Sequence, residues 1–319
     1  MRIRPLADVG ARDVRAILRD ESEHWSRELL WDYADVSSAV MAGIERRTLG
    51  GAIAEDAGRT AAYCYYMRDA GRAVVGSLYA TEAFRGRGVE EALLGDVLHE
   101  AQGRGGHDRV ECQTLFTTAP GVDGAFAGAG FLSTRRQYMV RSLAAPIESG
   151  PAGVQLRSVR RDDLPLVADI VYRSHRGTLD AALNLTYASA SLCRGFVDTL
   201  VLRAGCGRFD PDASFIAESG RTAVGVLLAS HLSSTNGHVC QVSVLPEAQG
   251  KGAGRALLAA ALLAFRRGGL SFSSLSVTVD NDRAYSLYQR LGYRARRHFT
   301  AHAWARPPAR IELPRRAAS

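Results

Sequence analysis

The sequence predicts a mixed α/β protein built as two tandem copies of one fold, each a sheet flanked by helices. Three observations predict it. Residues 1–145 and 154–306 repeat the same short motifs in the same order. Within each half, β-branched alternating segments alternate with segments of helical periodicity. A glycine-rich turn joins a strand to a helix at the corresponding place in both halves.

The repeat opens with Ile3-Arg4-Pro5-Leu6-Ala7-Asp8, matched by Leu156-Arg157-Ser158-Val159-Arg160-Arg161-Asp162, each a strand leading into a helix. Ile53-Ala54-Glu55 before Gly58-Arg59-Thr60-Ala61 corresponds to Ile216-Ala217-Glu218 before Gly220-Arg221-Thr222-Ala223, and both read as β-hairpins. Phe84-Arg85-Gly86-Arg87-Gly88-Val89-Glu90 corresponds to Ala248-Gln249-Gly250-Lys251-Gly252-Ala253-Gly254. Ala129-Gly130-Phe131 corresponds to Leu291-Gly292-Tyr293. Residues 144–153 have the composition of a linker, and the tail from Pro307 to Ser319 is proline- and arginine-rich without periodicity.

In the second half, 162–172 reads as a helix with Leu164, Val167, Ile170 and Val171 on one face, provided Pro165 falls in its first turn. A strand is expected over 240–245. A helix then starts near Gly254, with Leu257, Leu258, Ala261, Leu262 and Phe265 as its apolar stripe and Gly268-Gly269 as its end. Residues 274–279 alternate as a strand, and 283–291 form a short helix stopped by Gly292.

Composition bounds the function. The chain has 319 residues, 46% of them hydrophobic, enough for two domains with their own cores. No apolar run approaches the roughly 20 residues that span a bilayer. The opening residues lack the apolar core of a signal peptide, which makes the cytoplasm the expected location. The five cysteines are scattered, with no Cys-x-x-Cys pair, so neither a disulfide framework nor a metal site is expected. The net charge of +7 is unevenly placed: 18 arginines face 21 carboxylates in residues 1–150, against 22 cations and 12 carboxylates in 151–319. A second half at +10 suits an anionic ligand. Nucleic acid is not expected, because no recognised binding motif accompanies the charge.

The informative stretch is Val244-Leu245-Pro246-Glu247-Ala248-Gln249-Gly250-Lys251-Gly252-Ala253-Gly254-Arg255. Glycines remove Cβ atoms where backbone must approach a ligand, and the head of a helix presents unpaired N–H groups that favour phosphate. Downstream, Asn281-Asp282-Arg283-Ala284-Tyr285-Ser286-Leu287-Tyr288-Gln289-Arg290-Leu291-Gly292-Tyr293 forms a second motif. Together these resemble the acyl-CoA pyrophosphate loop and the Asn-x-x-Ala-x-x-Leu-Tyr-x-x-x-Gly-aromatic segment of the GNAT superfamily of N-acetyltransferases, in a tandem two-domain arrangement.

The resemblance implies a twisted mixed sheet in each half and acetyl transfer from acetyl-CoA to an amine by direct attack, without a metal. It implies that backbone groups of Gln249, Gly250, Lys251, Gly252, Ala253, Gly254 and Arg255 bind the pyrophosphate, and that Val242, Ser243 and Val244 line the pantetheine. Val244 N–H becomes the oxyanion donor, Asn281 a cofactor contact and Tyr288 the general acid on the CoA sulfur. Asn281 is equally suited to capping the helix that follows it, and Lys251 and Arg255 to solvated surface charges. His231, His238 and Glu247 are candidate bases, beside deprotonation through ordered water. The first half departs from the pattern with Glu82 for Pro246, Glu90 for Gly254 and Phe126 for Tyr288. Phenylalanine has no proton to give. Glu90 is expected to repel a pyrophosphate unless its side chain swings away or pairs with Arg85 or Arg87. The first half is therefore expected to be structural or substrate-shaping. The acceptor is open among small amines, aminoglycoside-like compounds, amino acids and protein N-termini, and the oligomeric state is open too. A non-catalytic CoA-binding or regulatory module is the alternative reading.

Overall fold

The computed structural model describes residues 1–306 except 70, 105, 117–119, 149–153 and 204. The second half of the expected linker, 149–153, and the tail from 307 lie outside the described residues. In the first half the order is β1 (Arg2–Pro5), α1 (Ala11–Leu29), α2 (Ala34–Glu45), β2 (Gly50–Asp56), β3 (Arg59–Asp69), β4 (Arg72–Ala80), α3 (Val89–His99), β5 (Arg109–Thr114), α4 (Pro120–Gly128) and β6 (Leu132–Ser142). The second half begins with β7 (Gln155–Ser158), α5 (Leu164–His175), α6 (Leu179–Leu183), α7 (Ala190–Leu202) and the short β8 (Arg208–Phe209). It continues with β9 (Phe215–Ser219), β10 (Thr222–His231), β11 (Asn236–Val244), α8 (Ala253–Arg267), β12 (Phe272–Thr278), α9 (Asp282–Arg290) and β13 (Arg294–Ala305).

The strands form one continuous mixed sheet in the order β1-β2-β3-β4-β5-β13-β6-β12-β11-β10-β9-β7. Both expected hairpins are present, as β2–β3 and β9–β10. The halves meet through an exchange of their last strands. β13 pairs with β5 of the first half, and β6 pairs with β12 of the second. Between them, β6 and β13 pair with each other over Leu132–Val140 and Arg294–Ala303.

Helices cover both faces. On one face α3 packs Val89, Leu93, Leu94 and Val97 against the first half, and α8 packs Leu257, Leu258, Ala261, Leu262 and Phe265 against the second. On the opposite face lie α1 and α2, then α5 and α7. Pro165 sits in the first turn of α5, where its missing N–H breaks no helical bond. α8 ends at Gly268, and Gly269 takes φ +81°.

One local feature positions the site. β11 and β12 run parallel but pair only from Asn236–Phe272 to Val239–Leu275, although β11 runs on to Val244 and β12 to Thr278. β10 stays paired with β11 to the end, with a bulge at Cys240 opposite Leu228 and Ala229. The two central strands therefore splay and open a cleft at their C-terminal ends.

Candidate active site

The cleft has three walls. The first is the strand edge. Leu245 N–H bonds Val224 O at 2.9 Å, on the β10 side. Antiparallel ladders alternate between residues that bond their partner and residues that turn both groups away. Val244, opposite Gly225, and Val242, opposite Leu227, thus direct their N–H groups into the gap left by β12. The Val244 carbonyl, free of the ladder, accepts a hydrogen bond from Gln249 Nε2 at 3.0 Å. Ser243 points to the other face, buried, where its Oγ accepts from Gln241 Nε2 at 2.9 Å.

The second wall is the glycine turn. Gly250 and Gly252 take φ +81° and +90°, a region that glycine enters without strain. Gly252 is the N-cap of α8, and the first bond of that helix runs from Ala256 N–H to Gly252 O. The six preceding amides, from Gly250 to Arg255, have no acceptor among the described residues. Six consecutive free donors at the positive end of a 15-residue helix form a concavity for an anion. Gly254 lies in the first turn of α8. A Cβ there would meet only Leu287 Cδ2 at 3.6 Å and Val244 Cγ2 at 3.7 Å, ordinary contacts. Glycine in a helix costs about 1 kcal/mol against alanine, and packing within the protein does not demand it here.

Around this turn the charge is positive. Arg283 Nη1 donates to Gln249 Oε1 at 2.6 Å, and its other terminal nitrogen lies against Gly250. Lys251 makes no ion pair among the described residues, whereas Arg255 pairs with Glu148 at 2.5 Å on the surface. Arg283 is a contributor that sequence reasoning quoted inside a motif without giving it a role.

The third wall is α9. Asn281 caps it, its Oδ1 accepting from Ala284 N–H at 3.1 Å. Tyr288 is buried in the apolar cluster that also takes Val242 and Val244, and Leu287 of the same helix touches the glycine turn. The Tyr288 hydroxyl has no hydrogen-bond partner among the described residues. Burial raises its pKa above that of an ordinary phenol, which keeps the proton on at neutral pH.

The cleft mouth carries polar groups from distant parts of the chain. Thr278, at the end of β12, donates to Asp180 Oδ1 at 2.7 Å. Arg136, from β6 of the first half, pairs in register with Thr278. Tyr187 donates to Gln241 Oε1 at 3.0 Å and stacks on His175 at 4.0 Å between ring centres. The Asp180 carboxylate and the Arg136 guanidinium act electrostatically on both Tyr187 and Tyr288. None of Asp180, Arg136 or Tyr187 lies in a recognisable motif, so sequence gave no signal for them.

The candidate bases are dispersed. Glu247 is exposed and paired with Arg173 at 2.9 Å. His231 bonds Asp210 at 2.7 Å. His238 is buried against Ser274, its Nδ1 at 2.9 Å from the hydroxyl, and burial pushes its pKa down to about 4.

The splayed sheet and the unpaired amides at the head of α8 are what the resemblance implies for an acyltransferase, and comparison with known proteins supports that class. The acetyltransferase (GNAT) family model matches residues 187–293, which hold the strand edge, the glycine turn and α9. The chain is 29% identical to a mycothiol acetyltransferase of Parafrankia sp. (strain EAN1pec), over 89% of this chain and 98% of that protein. It is 32% identical to one of Streptomyces bingchenggensis, over 64% of this chain and 70% of that one. Among solved structures, a GCN5-related N-acetyltransferase from Sphaerobacter thermophilus superposes with a TM-score of 0.69 at 20% identity, covering 96% of each chain. A tandem GNAT protein from the clavulanic acid biosynthesis pathway superposes at 0.60 and 16% identity, covering 97% of this chain and all of that one. The chain belongs to the GNAT acetyltransferase family, as a tandem member and an acetyl-transferring enzyme. Both of these curated relatives are named mycothiol acetyltransferase.

Proposed function

We propose that the second half, residues 154–306, transfers the acetyl group of acetyl-CoA to an amine, while the first half, 1–145, shapes the site without reacting. The observation that carries this reading is the run of six unpaired amides from Gly250 to Arg255 beside the splayed strands. Such a concavity suits the diphosphate of CoA, with Lys251 and Arg283 adding positive charge. The outward N–H groups of Val242 and Val244 suit the pantetheine arm, and Val244 N–H is the donor for the thioester oxygen as it gains charge. The neutral amine nitrogen attacks the thioester carbonyl, the C–S bond breaks, the proton that the nitrogen loses leaves through ordered water, and Tyr288 passes its own proton to the departing thiolate. Asn281 both caps α9 and contacts the cofactor. Asp180, Tyr187 and Arg136 line the acceptor side, where the carboxylate attracts an ammonium group.

The relatives' name makes an amine related to mycothiol the first acceptor to assay. Among the described residues no helix is long and apolar enough to cross a membrane, and the reading includes a cytoplasmic enzyme working on a small molecule. The test is mass-spectrometric detection of acetylated product from acetyl-CoA and a panel of amines, with wild type and Tyr288→Phe side by side. Transfer that depends on Tyr288 supports the reading. Tight CoA binding with no transfer to any amine in the panel counts against it and favours a binding module.

A further inference from the structure

The first half builds the same turn and then fills it. Gly86 and Gly88 take φ +71° and +82°, close to Gly250 and Gly252, and Gly88 caps α3 as Gly252 caps α8. β4 and β5 also splay, pairing only over Arg72–Val75 and Arg109–Cys112, while β4 continues to Ala80. The backbone form of a cofactor cleft is therefore retained. Two of its six amides, those of Gly86 and Arg87, are taken, while those of Gly88, Val89, Glu90 and Glu91 have no acceptor among the described residues. Glu90, at the position of Gly254, is 2% exposed and turns both carboxylate oxygens onto Gly86 N–H, at 3.3 and 3.2 Å. Arg87 N–H bonds Phe84 O at 3.3 Å. The corresponding amides of the second half, Gly250 and Lys251, have no acceptor among the described residues. The expected pairing of Glu90 with Arg85 or Arg87 does not occur among the described residues. Arg85 instead donates to Ala80 O at 3.2 Å and lies over the Tyr79 ring. A carboxylate is itself an anion, so the helix head that favours phosphate favours Glu90 equally.

We propose that Glu90 is a built-in substitute for the cofactor phosphate, which closes the first half to CoA and leaves the chain with one CoA site. A diphosphate entering there would have to expel a buried, satisfied carboxylate and would meet its negative charge. The proposal rests on the reading that CoA occupies the second half, and its test separates the two.

The experiment is calorimetric titration of CoA into the full chain as wild type, Glu90→Gly and Gly254→Glu, with thermal melting to establish that each is folded. The proposal expects one site in wild type, two in Glu90→Gly, and none in Gly254→Glu, where the new carboxylate fills the second nest. Two sites in wild type would overturn it. So would a Glu90→Gly variant that melts normally and still binds one CoA. If wild type bound no CoA and Glu90→Gly bound one, the closure would stand and the functional reading would fall. A single site surviving in Gly254→Glu would contradict both.

Discussion

Gln249 clamps the strand that precedes the glycine turn: its Nε2 donates to the Val244 carbonyl at 3.0 Å while its Oε1 accepts from Arg283 at 2.6 Å. One side chain thereby ties the end of β11 to α9 across the cleft. Gln249 is exposed, so its loss costs little stability. Gln249→Ala is expected to weaken CoA binding about tenfold, the worth of one or two hydrogen bonds, with the melting temperature almost unchanged. Calorimetry beside thermal melting checks both halves of that statement.

Tyr288→Phe removes a hydroxyl that has no partner among the described residues. Stability should hold, and so should CoA affinity. Turnover should fall by about 10²–10⁴, the usual share of a general acid. Steady-state kinetics at saturating acetyl-CoA measures it, and an unchanged kcat would remove Tyr288 from the mechanism.

Glu111, on β5, joins the halves. Its carboxylate takes Arg72 at 2.6 Å, Arg109 at 2.5 Å and the backbone N–H of Leu185 at 2.6 Å, and Arg109 also bonds Ala182 O. All three charged side chains are largely buried. Glu111→Ala leaves the largely buried Arg109 without a carboxylate, while Arg72 keeps Asp69, and should cost about 3 kcal/mol. Urea unfolding reads the loss, and hydrogen exchange should rise first over residues 179–187, which carry Asp180 and Tyr187.

Two buried histidines set an acid limit. Burial pushes both His238 and His302 down to about 4. In the unfolded chain each titrates near 6.5, so below that pH the unfolded state holds protons that the folded state refuses. Their stabilising contribution is complete above about pH 6.5 and drains away as pH falls toward 4, by about 1.4 kcal/mol per pH unit per histidine. Melting temperature should therefore decline across that window. His302 stacks on Phe126 with Asp123 at 3.6 Å from its Nε2, and His302→Gln should flatten the decline.

Local features were legible in the sequence because local rules produce them. The glycine turn, the Pro165 position, the apolar stripe of α8 and the cap at Asn281 each follow from a few adjacent residues. The exchange of β6 and β13 was not legible, since both halves carry a last strand of similar character and no short-range rule chooses its partner. Glu90 takes a partner that side-chain charges do not reveal: its carboxylate accepts from the backbone N–H of Gly86 rather than from Arg85 or Arg87. The acceptor wall was invisible because Arg136, Asp180 and Tyr187 come from three separated segments and meet only at the cleft mouth.

The most direct test of the account is a crystal structure of the full chain grown in excess acetyl-CoA. The account predicts a diphosphate on the amides of Gly250–Arg255, a thioester oxygen at Val244 N–H, the sulfur beside the Tyr288 hydroxyl, and no cofactor in the first half. A second-half cleft without cofactor, or a diphosphate at Gly86–Gly88, would contradict it.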